Sequence, residues 1–373
     1  MNMERRLTEV GVFIPVGNGG WVTSTNGPDL PGTYEYNRAV TVLAEELGFD
    51  FALSMAKWRG YGGPSKHWDI TLESLTTMAG LAEATKRIGI WGTVHMMIFP
   101  PAVIAKMVAT LDQISHGRVG LNLVSGSNPH DLGQMGLWRD LDHAGRYALA
   151  EEWIKVVKRL WTEERVDHKG EFFELTDCMS NPKPTVLPPV ICAGASDRGF
   201  QFTIDNCNGS FFPASDDPAA IARGRRAKEL AAKAGKPEFK SYGLFTLIPG
   251  ATDAEAQERL DYFDAGVDRV ALATQSSEYA SDKSAKQNFA AQYFIDQGEK
   301  VSSVLGGAMT GSAETLARRV AKTIIEGQLD GITIIVPDFI GDLRIVGQQI
   351  VPMMTEFGVE TNVSVHSRPL ADA

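Results

Sequence analysis

Short apolar or β-branched runs alternate along the chain with stretches whose apolar residues recur every three to four positions. Eight runs read as strands: Glu9–Val16, Phe51–Met55, Ile88–Met96, Val119–Gly126, Val190–Ser196, Gly209–Ser215, Ser241–Pro249 and Gly331–Pro337. Between them the spacing predicts helices such as Tyr34–Gly48, with Val40, Leu43, Ala44 and Leu47 on one face. Another is His143–Trp161, with Trp153, Ile154, Val157, Leu160 and Trp161 in register. Strand–helix alternation implies a parallel sheet with crossover helices, and eight such units predict an α/β fold of the closed (β/α)8 TIM barrel type. The final helix, Ile340–Phe357, is expected to follow the eighth strand and close the barrel. Two segments exceed the short connections of such a fold, so insertions are expected near 162–189 and 268–305, as lids or interfaces. No linker or low-complexity tract divides residues 1–373, which are expected to form a single domain.

One strand breaks the apolar pattern. Val119-Gly-Leu-Asn-Leu-Val carries Asn122 where hydrocarbon is expected, then runs into a loop of Ser, Gly, Ser, Asn and Pro. A buried amide must be hydrogen-bonded, since leaving it unpaired costs about 1–3 kcal/mol. Either Asn122 caps the loop Ser125–Pro129 from within the strand, or it serves a site. In a barrel of this kind, sites gather at the C-terminal ends of the strands. Asn18 and Gly19, Ala56 and Lys57, Thr93 and His95, Asn122 and Ser125, and Ser196 all fall there and are expected to converge on one mouth.

Composition narrows the chemistry. A net charge of −10 and a pI near 5.3 argue against a nucleic-acid partner, whose binding is driven by clustered Lys and Arg. No run approaches the roughly 18 apolar residues of a membrane span, and no signal peptide opens the chain, so the cytoplasm is the expected location, with no membrane partner. The three cysteines, Cys178, Cys192 and Cys207, have neither disulfide nor zinc spacing and read as reduced packing thiols. The seven histidines show no ligand spacing, so no metal is expected. The chain contains no GxSxG elbow, HExxH, Walker A loop or GxGxxG after a strand. The chemistry is therefore expected to belong to a cofactor.

Gly11-Val-Phe-Ile-Pro-Val-Gly-Asn-Gly-Gly-Trp21, Asp50-Phe-Ala-Leu-Ser-Met55, Gln134-Met-Gly-Leu-Trp138 and Val190-Ile-Cys-Ala-Gly-Ala-Ser196 resemble the bacterial-luciferase-like flavin monooxygenases. Within them the similarity is to the pyrimidine oxygenase branch, which opens the uracil ring; it is strong over residues 9–215. The resemblance implies a luciferase-like barrel and an FMN-dependent monooxygenase. Its FMN would be reduced by a separate NAD(P)H:flavin reductase, and its cosubstrate would be O2. It also implies a nitrogen-heterocycle substrate and a homodimer or homotetramer. It places cofactor contacts at Ala56, Lys57, Asn122, Asp131, Arg146, Tyr147 and Ser196, and sets Asn122 and Thr93 at the flavin's reactive edge as the catalytic pair. Leu53 and Met55 match the walls of the oxygen pocket. Arg146, Tyr147 and Ser196 begin helices, so a guanidinium, a phenol and helix-terminal N–H groups are expected around the phosphate.

Three departures bear on the substrate. Ser127 stands where the branch has a bulky Trp, Asp131 where it has Glu, and His95 where it has a small apolar residue. Ser127 and His95 are therefore the expected substrate contacts, and a larger ring with the same imide or amide edge, such as a flavin-type ring, becomes plausible beside uracil. Two other readings share the expected fold: a deazaflavin-dependent hydride-transfer oxidoreductase, and a non-catalytic flavin-binding protein that would need no Thr93–Asn122 pair. Trp58, Trp91 and Trp138 read as packing residues, Gly60–Pro64 as a turn that could admit a ligand, and Ser312 as a helix N-cap.

Overall fold

The structure, a computed structural model, describes residues 7–126, 128–194, 196–213, 216–287, 289–300, 302–305 and 307–363. In chain order the first half runs β1 (Glu9–Phe13), α1 (Tyr34–Glu46), β2 (Phe51–Leu53), α2 (Ser74–Ala84), β3 (Gly89–His95), α3 (Pro101–Ser115), β4 (Val119–Val124), α4 (Pro129–Gly133) and α5 (His143–Thr162). A hairpin of β5 (Val166–Lys169) and β6 (Glu174–Cys178) follows, then β7 (Val190–Cys192), α6 (Asp197–Asn206), β8 (Gly209–Pro213), α7 (Asp217–Lys233) and β9 (Lys240–Pro249). The last part holds α8 (Asp253–Ala265), α9 (Arg269–Ala280), α10 (Phe289–Lys300), β10 (Ala308–Gly311), α11 (Ala313–Gly327) and β11 (Gly331–Ile335).

Strands β11, β1, β2, β3, β4, β7, β8 and β9 pair in that order, all parallel, and β9 pairs back to β11. The eight-stranded barrel is thus closed, and each of the eight expected strands is one of its staves. β10 lies outside the ring, extending β9 from Ala308 opposite Thr246. The 162–189 insertion contains the small antiparallel hairpin, and the 268–305 insertion contains α9 and α10. After β11, a helical run from Gly341 to Phe357 covers the end of the barrel, with one widened turn in which Val351 N–H reaches Val346 O. Pro352, which lacks an N–H, sits just beyond that turn. Ser312 caps α11, its side chain accepting from Thr315 N–H. The three cysteines are free thiols.

The barrel floor is aromatic. The rings of Phe51 and Trp91 stack with centroids 4.5 Å apart, and Tyr242 meets both edge-on at 5.7 Å. Burying one ring of this size stabilises by roughly 5 kcal/mol on area alone. Room for them comes from glycines on neighbouring strands: a Cβ at Gly11 would stand 2.2 Å from Phe51, one at Gly120 2.7 Å from Trp91, and one at Gly331 2.6 Å from Tyr242. Trp91 is therefore a packing residue, as expected, and it sets the depth at which any cavity above can begin. Gly120→Ala forces this floor to shift and is expected to destabilise by about 1–3 kcal/mol, read as a lowered denaturant midpoint at unchanged m-value.

Candidate active site

The C-terminal ends of the strands open into a cavity of about 200 Å³. Phe13, Trp21, Met55, Trp68, Phe211 and Leu244 make its apolar walls, and Lys57, Thr93, His95, Asn122, Ser125 and Tyr147 bring polar groups to it. Strand alternation explains the choice. Thr93 and His95 lie two residues apart on β3, so they share its inner face, and Asn122 is the register partner of Thr93 on β4.

The hydrogen bonds around Asn122 fix which way its amide points. Thr93 Oγ1–H donates to Ser54 O at 2.5 Å, so the Thr93 oxygen has only lone pairs left for Asn122. Asn122 Nδ2 donates to it at 3.1 Å. The Asn122 carbonyl oxygen is thereby turned the other way, and it is withdrawn from solvent with no partner among the described groups. Behind the pair, Thr93 N–H donates to Ser74 Oγ at 2.9 Å, and Ser74 and Ser54 share a hydroxyl contact of 2.5 Å. Loop capping is done by another residue: Asn128 Oδ1 accepts from His130 N–H and Asp131 N–H. The strand amide is thus free of the loop.

His95 repeats the pattern one step toward the mouth. Its Nε2 is 3.3 Å from Ala56 O, and a carbonyl can only accept, so Nε2 carries the proton. Burial lowers the tendency of the ring to take a second proton, leaving a neutral imidazole whose Nδ1 is a bare acceptor with no partner among the described groups. Two acceptors, one carbonyl and one imidazole nitrogen, therefore wait for N–H or O–H donors at one cavity wall.

The other expected residues divide between the wall and the layer behind it. Ala56, Lys57 and Met55 border the cavity, whereas Leu53 is wholly buried and does not. Lys57 Nζ is 3.1 Å from Asp131 Oδ1 and 4.3 Å from the centre of the Tyr61 ring, and Asp131 also accepts from Trp58 N–H. Asp131 thus stands behind Lys57 and neutralises it. Tyr147 lines the cavity, with its hydroxyl near Ser196 and Ser125 and its pKa raised to about 12 chiefly by burial. Ser196 caps α6, accepting from Gly199 N–H at 3.0 Å, with His143 Nε2 3.3 Å away.

Arg146, expected at the phosphate, is engaged within the protein. Its guanidinium, 3% exposed, holds Asp282 through both carboxylate oxygens, while Nε donates to Leu141 O and Nη1 to Gly126 O. With its fork occupied in this way, it ties the β4 loop to the 268–305 insertion. Ser127 lies outside the described residues. Asn18 ties the loop after β1 to the loop after β2, donating to Lys66 O and accepting from Ile70 N–H, and the Gly63 of the expected glycine turn makes room for the Asp268 carboxylate. Trp138 packs against Arg146 at 4.9 Å and Trp58 against Phe99 at 6.5 Å.

The sequence reading missed the contribution of the insertion. Tyr279, Tyr293, Phe294 and Leu305 complete the wall. Their only signal in the sequence is aromatic residues set in an otherwise polar stretch.

Residues 8–327 match the family model of the luciferase-like monooxygenases. The chain belongs to this family. It is 37% identical over 355 residues to the pyrimidine monooxygenase RutA of Escherichia coli (strain SE11), an alignment covering 94% of this chain and 92% of the relative. Among solved structures, riboflavin lyase RcaE superposes with a TM-score of 0.83 at 18% identity, covering 95% of this chain and 93% of its own. Long-chain alkane monooxygenase LadA does so with 0.80 at 18% identity, covering 98% and 96%. Membership of this family makes the chain a flavin-dependent monooxygenase, and no described helix is long and apolar enough to cross a membrane.

Arg146→Ala should leave the Asp282 carboxylate buried without a counter-charge and cost about 3–5 kcal/mol, whereas the paired replacement Arg146→Met with Asp282→Leu should recover most of it. Urea unfolding of the three proteins measures this; a single variant as stable as the parent would mean that the pair holds nothing.

Proposed function

We propose that the cavity binds reduced FMN, supplied by a separate reductase, together with a neutral nitrogen heterocycle that carries an imide or amide edge, and that the enzyme oxygenates this ring. The observation that carries the reading is the pair of unpartnered acceptors, Asn122 Oδ1 and His95 Nδ1, set in an apolar cavity. A reduced flavin and an imide ring both present N–H groups beside flat apolar faces, which is the complement of such a wall. The similarity to a pyrimidine monooxygenase along 94% of the chain supports the same substrate class.

Ala56, Lys57, Thr93 and Asn122 would hold the flavin ring, and Tyr147, Ser196 and the amides that open α6 would take the phosphate at a helix N-terminus. When bound, reduced flavin supplies the electrons that activate O2. The chain's own groups do the rest. Phe13, Met55, Phe211 and Leu244 keep water from the reacting edge, which strengthens every polar contact there. Asn122, locked by Thr93 and Ser54, offers a carbonyl that needs no reorganisation to accept a proton-bearing nitrogen. His95 accepts from the substrate ring, its tautomer set by Ala56 O.

Incubation with FMN, a generic flavin reductase, NADH and 18O2 tests the reading: uracil or a larger pyrimidine-like ring should yield product carrying one 18O atom. Hydride transfer on the same fold would give product without label. Asn122→Ala should lower turnover by about 10²–10³-fold while the melting temperature moves little, because the residue supports the reacting edge rather than the loop. A variant that is less stable yet fully active per folded molecule would return Asn122 to the scaffold.

A further inference from the structure

The 268–305 insertion is polar in composition, yet it delivers Tyr279, Tyr293 and Phe294 to the cavity wall. Buried carboxylates hold it there. Asp268 accepts from Ser65 N–H at 2.8 Å and Ser65 Oγ–H at 2.6 Å, Glu278 accepts from Asn128 Nδ2 at 2.9 Å, and Asp282 takes the Arg146 fork. Asp268 meets the loop after β2, and Glu278 and Asp282 meet the segment that follows β4. Tyr279 lies between the second and third, so its backbone is pinned on both sides. Its ring is fixed as well, stacked on Phe294 with centroids 4.5 Å apart and planes 16° from parallel. The Tyr61 hydroxyl lies near its own, and the Tyr61 ring carries Lys57.

We propose that Tyr279 is the specificity-determining residue for the substrate, an aromatic wall that selects flat, uncharged conjugated rings. The proposal rests on the heterocycle reading above and names the residue that enforces it. A ring immobilised in advance gives stacking contact at little cost in side-chain freedom. Lys57 is the one Lys or Arg among the described lining residues, and Asp131 neutralises it, so nothing at this wall rewards an anionic ligand. Tyr279 touches no part of the Asn122–Thr93 pair in the described hydrogen bonds, so it acts on ring binding rather than on the reacting edge.

The test measures ring binding by calorimetry at saturating oxidised FMN, with uracil and the two-ring pteridine-2,4-dione as probes. Tyr279→Ala should raise Kd about 10-fold for both rings, and Tyr279→Phe should stay within about twofold of the parent, since the π face is kept. FMN affinity and melting temperature should be unchanged in both. If Tyr279→Ala does not fold, Tyr279→Leu keeps the bulk without the π face and should show the same loss. Variants without the ring that bind both probes as the parent does would overturn the proposal. A parent protein that binds neither ring overturns it together with the heterocycle reading. A parent that binds the rings but makes no labelled product sinks the oxygenation reading alone, and the Tyr279 comparison then still decides this one.

Discussion

The site depends on a single assignment of donor and acceptor inside the barrel. Because Thr93 gives its proton to Ser54 O, it can only accept from Asn122, and Asn122 must then turn its carbonyl oxygen away from its own support. Reverse that bond and the amide would present a donor instead. The orientation is enforced from behind by Ser54 and Ser74 on two further elements. An unpaired buried carbonyl costs folding energy, and the proposed ring would supply the donor that this one lacks. The aromatic floor of Phe51, Trp91 and Tyr242 sets where that group can lie, since it fills the barrel below Thr93 and Asn122.

The outer wall is built on a different principle. The barrel mouth is made of loops, and loops alone hold geometry poorly. Here charged groups from the insertion are buried against them, and each is fully engaged: Asp282 with Arg146, Glu278 with Asn128, Asp268 with Ser65 and the first turn of α9. Burying charges in this way contributes little net stability because desolvation offsets the attraction of their partners. What they give is a single register for the segment, since any slip leaves a buried carboxylate unpaired. That register is what carries Tyr279 and Phe294 to the cavity.

The barrel was legible because each strand is a local run of apolar residues whose burial does not depend on distant partners. The inner-face position of Thr93, His95 and Asn122 followed from alternation alone. β10 and the β5–β6 hairpin were not read, being four or five residues long and each burying few apolar side chains, Val166 in β5 and Met309 in β10. The partner of Arg146 was hidden for a related reason. A guanidinium at a helix start suits a phosphate, and only the fold reveals Asp282, 136 residues away, in its fork. Lys57 and Asp131, both expected at the cofactor, prove to be partners of each other, 3.1 Å apart. Contacts between loops distant in sequence carry no periodicity, so the wall from Tyr279 to Leu305 was invisible while the strands were plain.

The most direct measurement is a crystal structure of the protein soaked with FMN and a pyrimidine-dione. Asn122 Oδ1 and His95 Nδ1 should each lie within hydrogen-bond distance of an N–H on the flavin or the substrate ring, with Asn122 Nδ2 still on Thr93. If both acceptors are met only by buried water while the flavin lies elsewhere, the account of this site is wrong.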